Sequence, residues 1–113
     1  MKKIARKIEK GDIFVLKNID AFGHEQKGVR PHVVVTQITG KTATIAPCTT
    51  SSKVRKYCVL ILPNQKNNLH QKSYVLISQA FAADTSLLSE KIGHLDEQDI
   101  FRIQIEYVKY ITD

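Results

Sequence analysis

Short apolar segments separated by polar residues follow one another along most of the chain. Alternating or β-branched apolar residues in runs this short are typical of strands. The pattern predicts five strands, at residues 12–16, 31–37, 42–46, 57–62 and 73–78. Pro47 is expected to stop the third strand, since proline cannot donate a ladder hydrogen bond. Residues 79–86 are predicted to be irregular or a short helical turn, and 87–95 a further short strand with a break near Gly93.

The pattern changes to a helical period near the C terminus. Asp96 suits an N-cap, and Glu97 and Asp99 put negative charge in the first turn, where the helix dipole favours it. Apolar residues then recur at helical spacing: Ile100, Ile103, Tyr107 and Ile111. Many short strands followed by one helix predict a mainly β fold, a small β-barrel with a C-terminal α-helix. Core packing is the expected role of this helix.

Length and composition narrow the class of protein. The chain has 113 residues, 42% hydrophobic and 25% charged, which is typical of one globular domain spanning residues 1–113. No apolar run approaches the roughly 20 residues that span a bilayer. Residues 1–10 form a basic N-terminal arm without the apolar centre of a secretory signal. We therefore expect a cytoplasmic protein with no membrane partner.

The charge balance is strongly basic. Lys and Arg number 17 against 11 Asp and Glu, a net charge of +6. Such a bias in a small chain favours an anionic partner, either nucleic acid or an acidic protein segment. Charge alone does not choose between these two partners.

The cysteines and histidines are not expected to bind a metal, and neither cysteine is expected to act as a nucleophile. Cys48 and Cys58 are expected to be free and reduced, and no Cys/His signature marks Cys48 as a nucleophile. The histidines have no metal-ligand spacing with either cysteine. We therefore predict no metal and no cofactor. Three histidines receive no role: His32, His70 and His94.

One loop concentrates polar chemistry between two predicted strands. Residues 23–31 read Gly-His-Glu-Gln-Lys-Gly-Val-Arg-Pro. Gly23 and Gly28 permit backbone conformations that are closed to other residues, and Pro31 biases Arg30 toward extended geometry. The loop is either a ligand or active-site loop presented at the mouth of a sheet, or a solvated connector with ordinary turn residues.

The same loop carries a family resemblance. Its sequence resembles the signature loop of the MazF/PemK/Kid family of toxin endoribonucleases. Residues 46–51, Ala-Pro-Cys-Thr-Thr-Ser, are similar to the family's second motif, in which a strand ends in a reactive-site threonine. The resemblance runs from about Gly11 to the C terminus.

The resemblance implies both an architecture and an activity. It implies an SH3-like β-barrel of about 5–7 strands with a C-terminal helix, in a homodimer. It implies the toxin of a toxin–antitoxin pair, with single-stranded RNA and a cognate acidic antitoxin as partners. The activity would be that of a metal-independent, sequence-specific endoribonuclease. In that reaction the substrate 2′-hydroxyl attacks the adjacent phosphate, so no protein nucleophile is needed.

Arg30 and Thr49 are the first catalytic candidates that the resemblance implies. The family places its catalytic arginine in the Arg-Pro pair, and a guanidinium matches phosphate oxygens with two donors. The alternative is a surface ion pair of Arg30 with Glu25 or Asp20. Thr49 aligns with the threonine that contacts the scissile phosphate. A shift of one residue would exchange it with Thr50, and a strand-end hydroxyl that caps a turn is the alternative.

The signature loop supplies three further candidates. His24 has the intrinsic pKa of an acid or base near neutrality, and Kid-like relatives carry histidine there while others carry serine. The alternative is an exposed histidine with no role. Glu25 is a candidate for the base or for ordering the loop. Gln26 is a candidate for reading a base edge or for bracing the backbone.

The remaining candidates are expected to contact RNA. The residues after Thr49 suit phosphate contacts, which position a strand without reading its sequence, although a solvated surface loop remains open. These RNA-binding candidates are Thr50, Ser51, Ser52, Lys53 and Arg55, with Gln79 from the end of the fifth strand.

The sequence departs from the family pattern around Gln79. Many relatives carry an acid directly before this glutamine and an arginine two residues after it, where this chain has Ser78 and Phe81. The departure reduces activity or shifts proton transfer to His24 or Glu25. Phe81 is expected to fill the core, with base stacking as the alternative.

The competing function is a non-cleaving toxin or binding module on the same barrel, either a CcdB-like gyrase poison or a decayed relative.

Overall fold

Seven antiparallel strands and a C-terminal helix make up the part of the chain that the computed structural model describes, residues 7–16, 30–53 and 55–113. The strands are β1 (Asp12–Leu16), β2 (Pro31–Val34), β3 (Thr42–Thr49), β4 (Cys58–Ile61), β5 (Ser73–Leu76), β6 (Phe81–Asp84) and β7 (Leu88–His94). Helix α1 spans Glu97–Thr112, and short 3-10 turns occupy Ile77–Gln79 and Thr85–Leu87. The predicted class, a small barrel of about 5–7 strands with a terminal helix, is confirmed.

Strand β3 is the centre of the sheet. The strands follow the order β4-β5-β3-β2-β1-β7, and β6 also pairs with β3. Along the edge away from β2, β3 pairs first with β6, ending at Ile45 opposite Phe81, and then with β5, beginning at Cys48 opposite Val75. β3 thus joins two groups of strands into one curved sheet.

Pro47 lies inside β3, contrary to the prediction that it would end the strand. Thr44 directs its carbonyl toward β2, where it accepts the Val35 N–H at 2.8 Å. By alternation, the backbone of Pro47 faces the opposite edge, at the point where the neighbour changes from β6 to β5. No ladder donor is needed there, so the strand continues to Thr49.

Both faces of the sheet are buried near its middle. Alternate residues point to opposite faces, so Ile13 and Val33 enter one apolar cluster while Phe14 and Val34 enter the other. The first cluster receives Ile103 of α1. Burying a side chain as large as these contributes about 1.5–3 kcal/mol each. The buried clusters therefore hold the central strands rigidly, and this fixes the positions of the side chains at the strand ends.

The helix begins where the sequence predicts, although the predicted cap does not form. Asp96 occupies the N-cap position, but its side chain makes no capping hydrogen bond. It instead accepts from Asn64 Nδ2 at 3.3 Å and lies 3.8 Å from Lys66 Nζ. Its carboxylate therefore ties the start of the helix to the β4–β5 loop. The apolar face of the helix packs on the sheet, as predicted, through Ile103 and Tyr107.

A second face of the helix is apolar and uncovered. Phe101, Ile105 and Val108, spaced four and three residues apart, are 59%, 46% and 54% exposed. Residues at this spacing form one stripe along a helix. The stripe faces away from the buried Ile103.

Strand β6 is the element that the sequence pattern misses. Its residues Phe81–Asp84 read Phe-Ala-Ala-Asp, and neither alanine nor aspartate favours strands. Backbone pairing with Thr42–Ile45 of β3 holds the segment extended. Elsewhere β1 has its predicted bounds, β3 extends past its predicted end to Thr49, and the other predicted strands are present with shorter ends. Gly93 lies within β7, next to an irregularity in the pairing of β7 with β1.

Candidate active site

The adjacent ends of β2 and β3 bring together the two motifs that the sequence singles out. His32 pairs with Pro47, Val33 with Ala46 and Val34 with Ile45. Continuing this register by two residues sets Arg30 opposite Thr49. Directly opposed residues on antiparallel strands have their Cβ atoms about 4.5–5.5 Å apart and share one face. The side chains of Arg30 and Thr49 therefore start from neighbouring backbone positions at the ends of two central strands.

Arg30 is an exposed cation without an ion-pair partner among the described residues. It appears in none of the ion pairs found there, and it is exposed. Its positive charge acts to lower the pKa of both His32 and the Cys48 thiol. The predicted alternative partners, Asp20 and Glu25, lie outside the described residues. Arg30 is thus placed to receive an anion.

The hydroxyl of Thr49 begins a chain of short-range contacts in the following loop. Its Oγ1 accepts the Ser51 N–H at 3.2 Å, and Ser51 Oγ accepts the Lys53 N–H at 3.3 Å. Arg55 donates through Nη1 to the Lys53 carbonyl at 3.0 Å. Arg55 therefore braces its own loop. The side chains of Thr50, Ser51, Ser52 and Lys53 are exposed.

His32 belongs to this site, although the sequence analysis gave it no role. Its Nδ1 lies 3.0 Å from the Arg30 carbonyl oxygen. Its ring meets Phe81 edge to face, with centroids 6.2 Å apart and planes at 88°. Its position two residues after Arg30 in a strand places both side chains on one face, which is the signal that could have found it.

The surroundings of His32 favour its neutral form. Desolvation by burial lowers its pKa, and the nearby Arg30 charge lowers it as well. The hydrogen bond with the Arg30 carbonyl acts in the opposite direction but does not reverse the result. The imidazole is therefore uncharged at neutral pH.

The segment after β5 lies beside the same part of β3. Gln79 is exposed in the 3-10 turn, and Ser78, at the position of the family's acid, is also exposed. Phe81 is 43% exposed, so the prediction that it fills the core is wrong. Its pairing with Ile45 at the rim of the buried cluster leaves part of the ring uncovered. A partly exposed aromatic ring thus lies next to His32.

The cysteines do not supply a nucleophile. Both are free, as predicted, and Cys48 points into the core from the position next to Thr49. Burial raises the pKa of its thiol to about 12, although the Arg30 charge acts to lower it. A thiol in this state stays protonated at neutral pH and is unreactive. Cys58 donates its S–H to the Arg55 carbonyl at 3.4 Å.

A second polar cluster lies at the start of β1, away from Arg30 and Thr49. The fully buried Asp12 accepts the Glu9 N–H at 2.8 Å, and its Oδ1 lies 2.7 Å from His94 Nδ1 and 3.1 Å from Lys91 Nζ. Glu9, Asp12 and His94 offer ligand atoms within 4.8 Å of one another, enough to suggest a cation site. Lys91 already contacts the same carboxylate, so the protein's own cation neutralises this cluster.

Three candidates fall outside the part of the chain that the structure describes. These residues, His24, Glu25 and Gln26, remain predictions from the family resemblance. Arg30, Thr49 and the segment from Thr50 to Lys53 lie within the described part, at one end of the β2–β3 pair.

Comparisons with known proteins identify the family to which the chain is similar. The family model of PemK-like, MazF-like toxins of type II toxin–antitoxin systems matches residues 9–106. The endoribonuclease EndoA of Bacillus subtilis (strain 168) is 27% identical over 96 residues, covering 80% of this chain and 83% of that protein.

Solved structures share the fold at low sequence identity. MazF from Deinococcus radiodurans has a TM-score of 0.72 at 20% identity, over 96% of this chain and all of that one. An endoribonuclease in complex with its cognate antitoxin, from a Mycobacterial species, has a TM-score of 0.73 at 14% identity, over 93% and 95% of the two chains. Among the described residues, no helix combines the length and apolar character needed to cross a membrane. With both motifs inside a family match that spans most of its length, the chain belongs to the PemK-like, MazF-like toxins of type II toxin–antitoxin systems.

Proposed function

We propose that this protein is the toxin of a toxin–antitoxin pair and an endoribonuclease that cleaves single-stranded RNA in the cytoplasm. The observation that carries the proposal is the register of β2 and β3, which, continued by two residues, sets Arg30 and Thr49, one from each family motif, opposite each other. The reaction needs neither metal nor cofactor, because the substrate supplies its own nucleophile, the 2′-hydroxyl.

Arg30 and Thr49 divide the work at the scissile phosphate. The guanidinium donates two hydrogen bonds to non-bridging oxygens and stabilises the charge that develops as the 2′-oxygen adds to phosphorus. The Thr49 hydroxyl donates to a phosphate oxygen while accepting the Ser51 N–H. The products are a 2′,3′-cyclic phosphate and a 5′-hydroxyl.

Neighbouring polar residues hold the RNA strand. Lys53 contributes an exposed charge, and the exposed hydroxyl groups beside it suit phosphate oxygens. Gln79 offers an amide on the other side of β3, able to read a base edge. His24, Glu25 and Gln26 join this surface from the signature loop.

We further propose two protein partners. The net charge of +6 suits a cognate antitoxin with an acidic segment, which would compete with RNA for the same cations. A homodimer would set two such sites side by side and lengthen the basic surface available to an RNA strand.

Cleavage in the absence of metal tests the activity. Purified protein is incubated with a long RNA in excess EDTA, and the new ends are mapped. We expect cuts at a defined short sequence, and Arg30→Ala should slow them by about 10²–10³, the value of one preorganised charged donor. Lys41→Ala, which removes an exposed cation from the β2–β3 turn, is the charge-matched control and should cleave normally.

Two outcomes would reject the proposal. One is RNA that stays intact, and the other is cleavage that Arg30→Ala leaves unchanged.

The serine at position 78, in place of the family's acid, is the observation that favours the competing function. Inhibition of DNA gyrase with intact RNA would then identify a CcdB-like poison, and binding of antitoxin without either effect a decayed relative.

A further inference from the structure

The proposed reaction lacks an assigned proton acceptor among the described residues. Arg30 stays protonated, Thr49 is a weak base, and Ser78 stands where relatives carry an acid. We propose that His32 is the general base of RNA cleavage and takes the proton of the attacking 2′-hydroxyl at its Nε2 atom. This inference rests on the proposed function and names a residue that the family motifs do not include.

The position of His32 follows from strand geometry. Arg30 and His32 are two residues apart in an extended segment, so both side chains stand on one face of the sheet. His32 is paired with Pro47, and Thr49 lies two residues further along β3, on the same face. A phosphate held by Arg30 and Thr49 therefore lies beside the imidazole.

One hydrogen bond fixes which nitrogen can act. The Arg30 carbonyl oxygen can only accept, so Nδ1 of the neutral ring, 3.0 Å away, carries the hydrogen. Nε2 then bears the lone pair that a base requires. Among the described residues, Nε2 has no hydrogen-bond partner, and no side-chain nitrogen or oxygen that is fully buried lacks one. The lone pair of Nε2 is therefore not committed to any of these residues.

The groups around His32 keep it unprotonated. The residues that face it from β1, β3 and β6 are Phe14, Pro47 and Phe81, none of which titrates. Within the described residues, the charge acting on it comes from Arg30, which disfavours a second positive charge. With desolvation acting in the same direction, its pKa lies below the ordinary value, so the base is ready at neutral pH.

The step balances with the substrate, one imidazole and one water molecule. Nε2 removes the 2′-hydroxyl proton while the 2′-oxygen forms its bond to phosphorus. The bond from phosphorus to the 5′-oxygen breaks, and that oxygen takes a proton from water. The imidazolium then returns its proton to solvent. Because a carbonyl holds Nδ1, the ring is oriented before substrate arrives, as a general base needs to be.

The first experiment measures cleavage against pH in His32→Asn. The asparagine amide can still donate to the Arg30 carbonyl but cannot act as a base, so the local structure is kept. We expect kcat to fall by about 10²–10⁴ with little change in KM. In the unaltered protein the rate rises with pH and levels off below the ordinary histidine pKa of about 6.5. That rising limb should disappear in His32→Asn.

Matched variants separate a base from a structural residue. His70→Gln alters an exposed histidine in the β4–β5 loop and should keep both rate and pH profile. In His32→Ala, added imidazole should restore cleavage in proportion to the neutral imidazole present. This rescue keeps the test decisive if the alanine variant is less stable, because a merely disordered site would not recover.

A substrate with sulfur in place of the 5′-oxygen distinguishes base from acid. A thiolate leaves without needing a proton, because thiol pKa values lie near 8.5. If His32 is the base, the sulfur substrate does not restore the rate of His32→Asn. Full recovery with this substrate would assign His32 as the acid and overturn the proposal.

Other outcomes also overturn it, independently of the proposed function. Unchanged rate and pH profile in His32→Asn, with cleavage still lost in Arg30→Ala, would leave the endoribonuclease in place and remove His32 as base. Normal activity in His32→Phe would make His32 a packing partner of Phe81. Loss of the rising limb in His24→Gln alone would assign the base to the signature loop.

Discussion

At the scale of single residues, the cations near the candidate site differ in what they are free to do. Arg30 and Lys53 have no described side-chain hydrogen bond or ion pair, whereas Arg55 donates to two carbonyls of its own loop, at 3.0 and 3.5 Å. A guanidinium held in this way shapes the loop and offers fewer donors to a ligand. Equal charge therefore does not imply an equal role in binding RNA.

Lys53 should contribute to the salt dependence of RNA binding. Lys53→Ala is expected to weaken RNA binding at every sequence and to lower the slope of log affinity against log salt by about 0.7, one phosphate contact on a single strand. Titration of labelled RNA between low and moderate salt measures the slope. Lys41→Ala is the control, and an unchanged slope in Lys53→Ala would remove that residue from the RNA surface.

At the scale of elements, strands β1 and β7 are joined by one buried carboxylate. Asp12 begins β1, and its partners Lys91 and His94 belong to β7. Gly11, just before it, has a φ of +93°, and a Cβ there would overlap Ile100 Cδ1 of the helix. The start of the sheet, its last strand and the helix thus meet at one point.

Removing the charge of Asp12 should therefore destabilise the fold. Asp12→Asn breaks a buried ion pair and its charged hydrogen bonds, and we expect the free energy of unfolding to fall by roughly 2–4 kcal/mol. Urea denaturation measures the loss, with Glu90→Gln, an exposed acid of β7, as a control that stays within about 0.5 kcal/mol. A loss under about 1 kcal/mol for Asp12→Asn would show that the contacts contribute little.

The sequence predicts elements whose signal is local and misses those set by neighbours. β1 is found at its observed bounds because its own residues favour a buried strand, and α1 because its period is helical. β6 is missed because its pairing with β3 outweighs its alanines. The effect of Pro47 is predicted wrongly because a strand tolerates proline where the proline backbone faces no hydrogen-bonding partner.

The same distinction holds for the candidate site. Arg30 and Thr49 are found through motifs that can be read directly in the chain. The role of His32 depends on a carbonyl orientation and on its distance from Phe81, and neither is written in the local sequence. Its i+2 spacing from Arg30 was the usable signal, but a strand position alone does not reveal which nitrogen is free.

At the scale of the whole molecule, one apolar surface has no cover among the described residues. The stripe of Phe101, Ile105 and Val108 runs along the outer side of α1. Monomeric proteins rarely expose contiguous apolar residues without a partner. We expect the homodimer to bury this stripe.

A charge at the centre of the stripe tests this expectation. Ile105→Asp should convert a dimer into a monomer, since a buried unpaired carboxylate is strongly unfavourable. Sedimentation or light scattering measures the mass, and Gln71→Asp, at an exposed loop position, is the control. A variant that stays dimeric but no longer binds antitoxin would assign the stripe to the antitoxin instead.

The pairing of β2 with β3 limits how relatives of this chain can diverge in length. The register sets Arg30 opposite Thr49 because each lies four positions from the paired residues Val34 and Ile45. Inserting one residue between positions 45 and 49 would set the thiol of Cys48 opposite Arg30 and turn the Thr49 hydroxyl to the other face of the sheet. Insertions and deletions should therefore collect in the turn around Gly40, while the eight positions of β3 keep a constant count across active homologues.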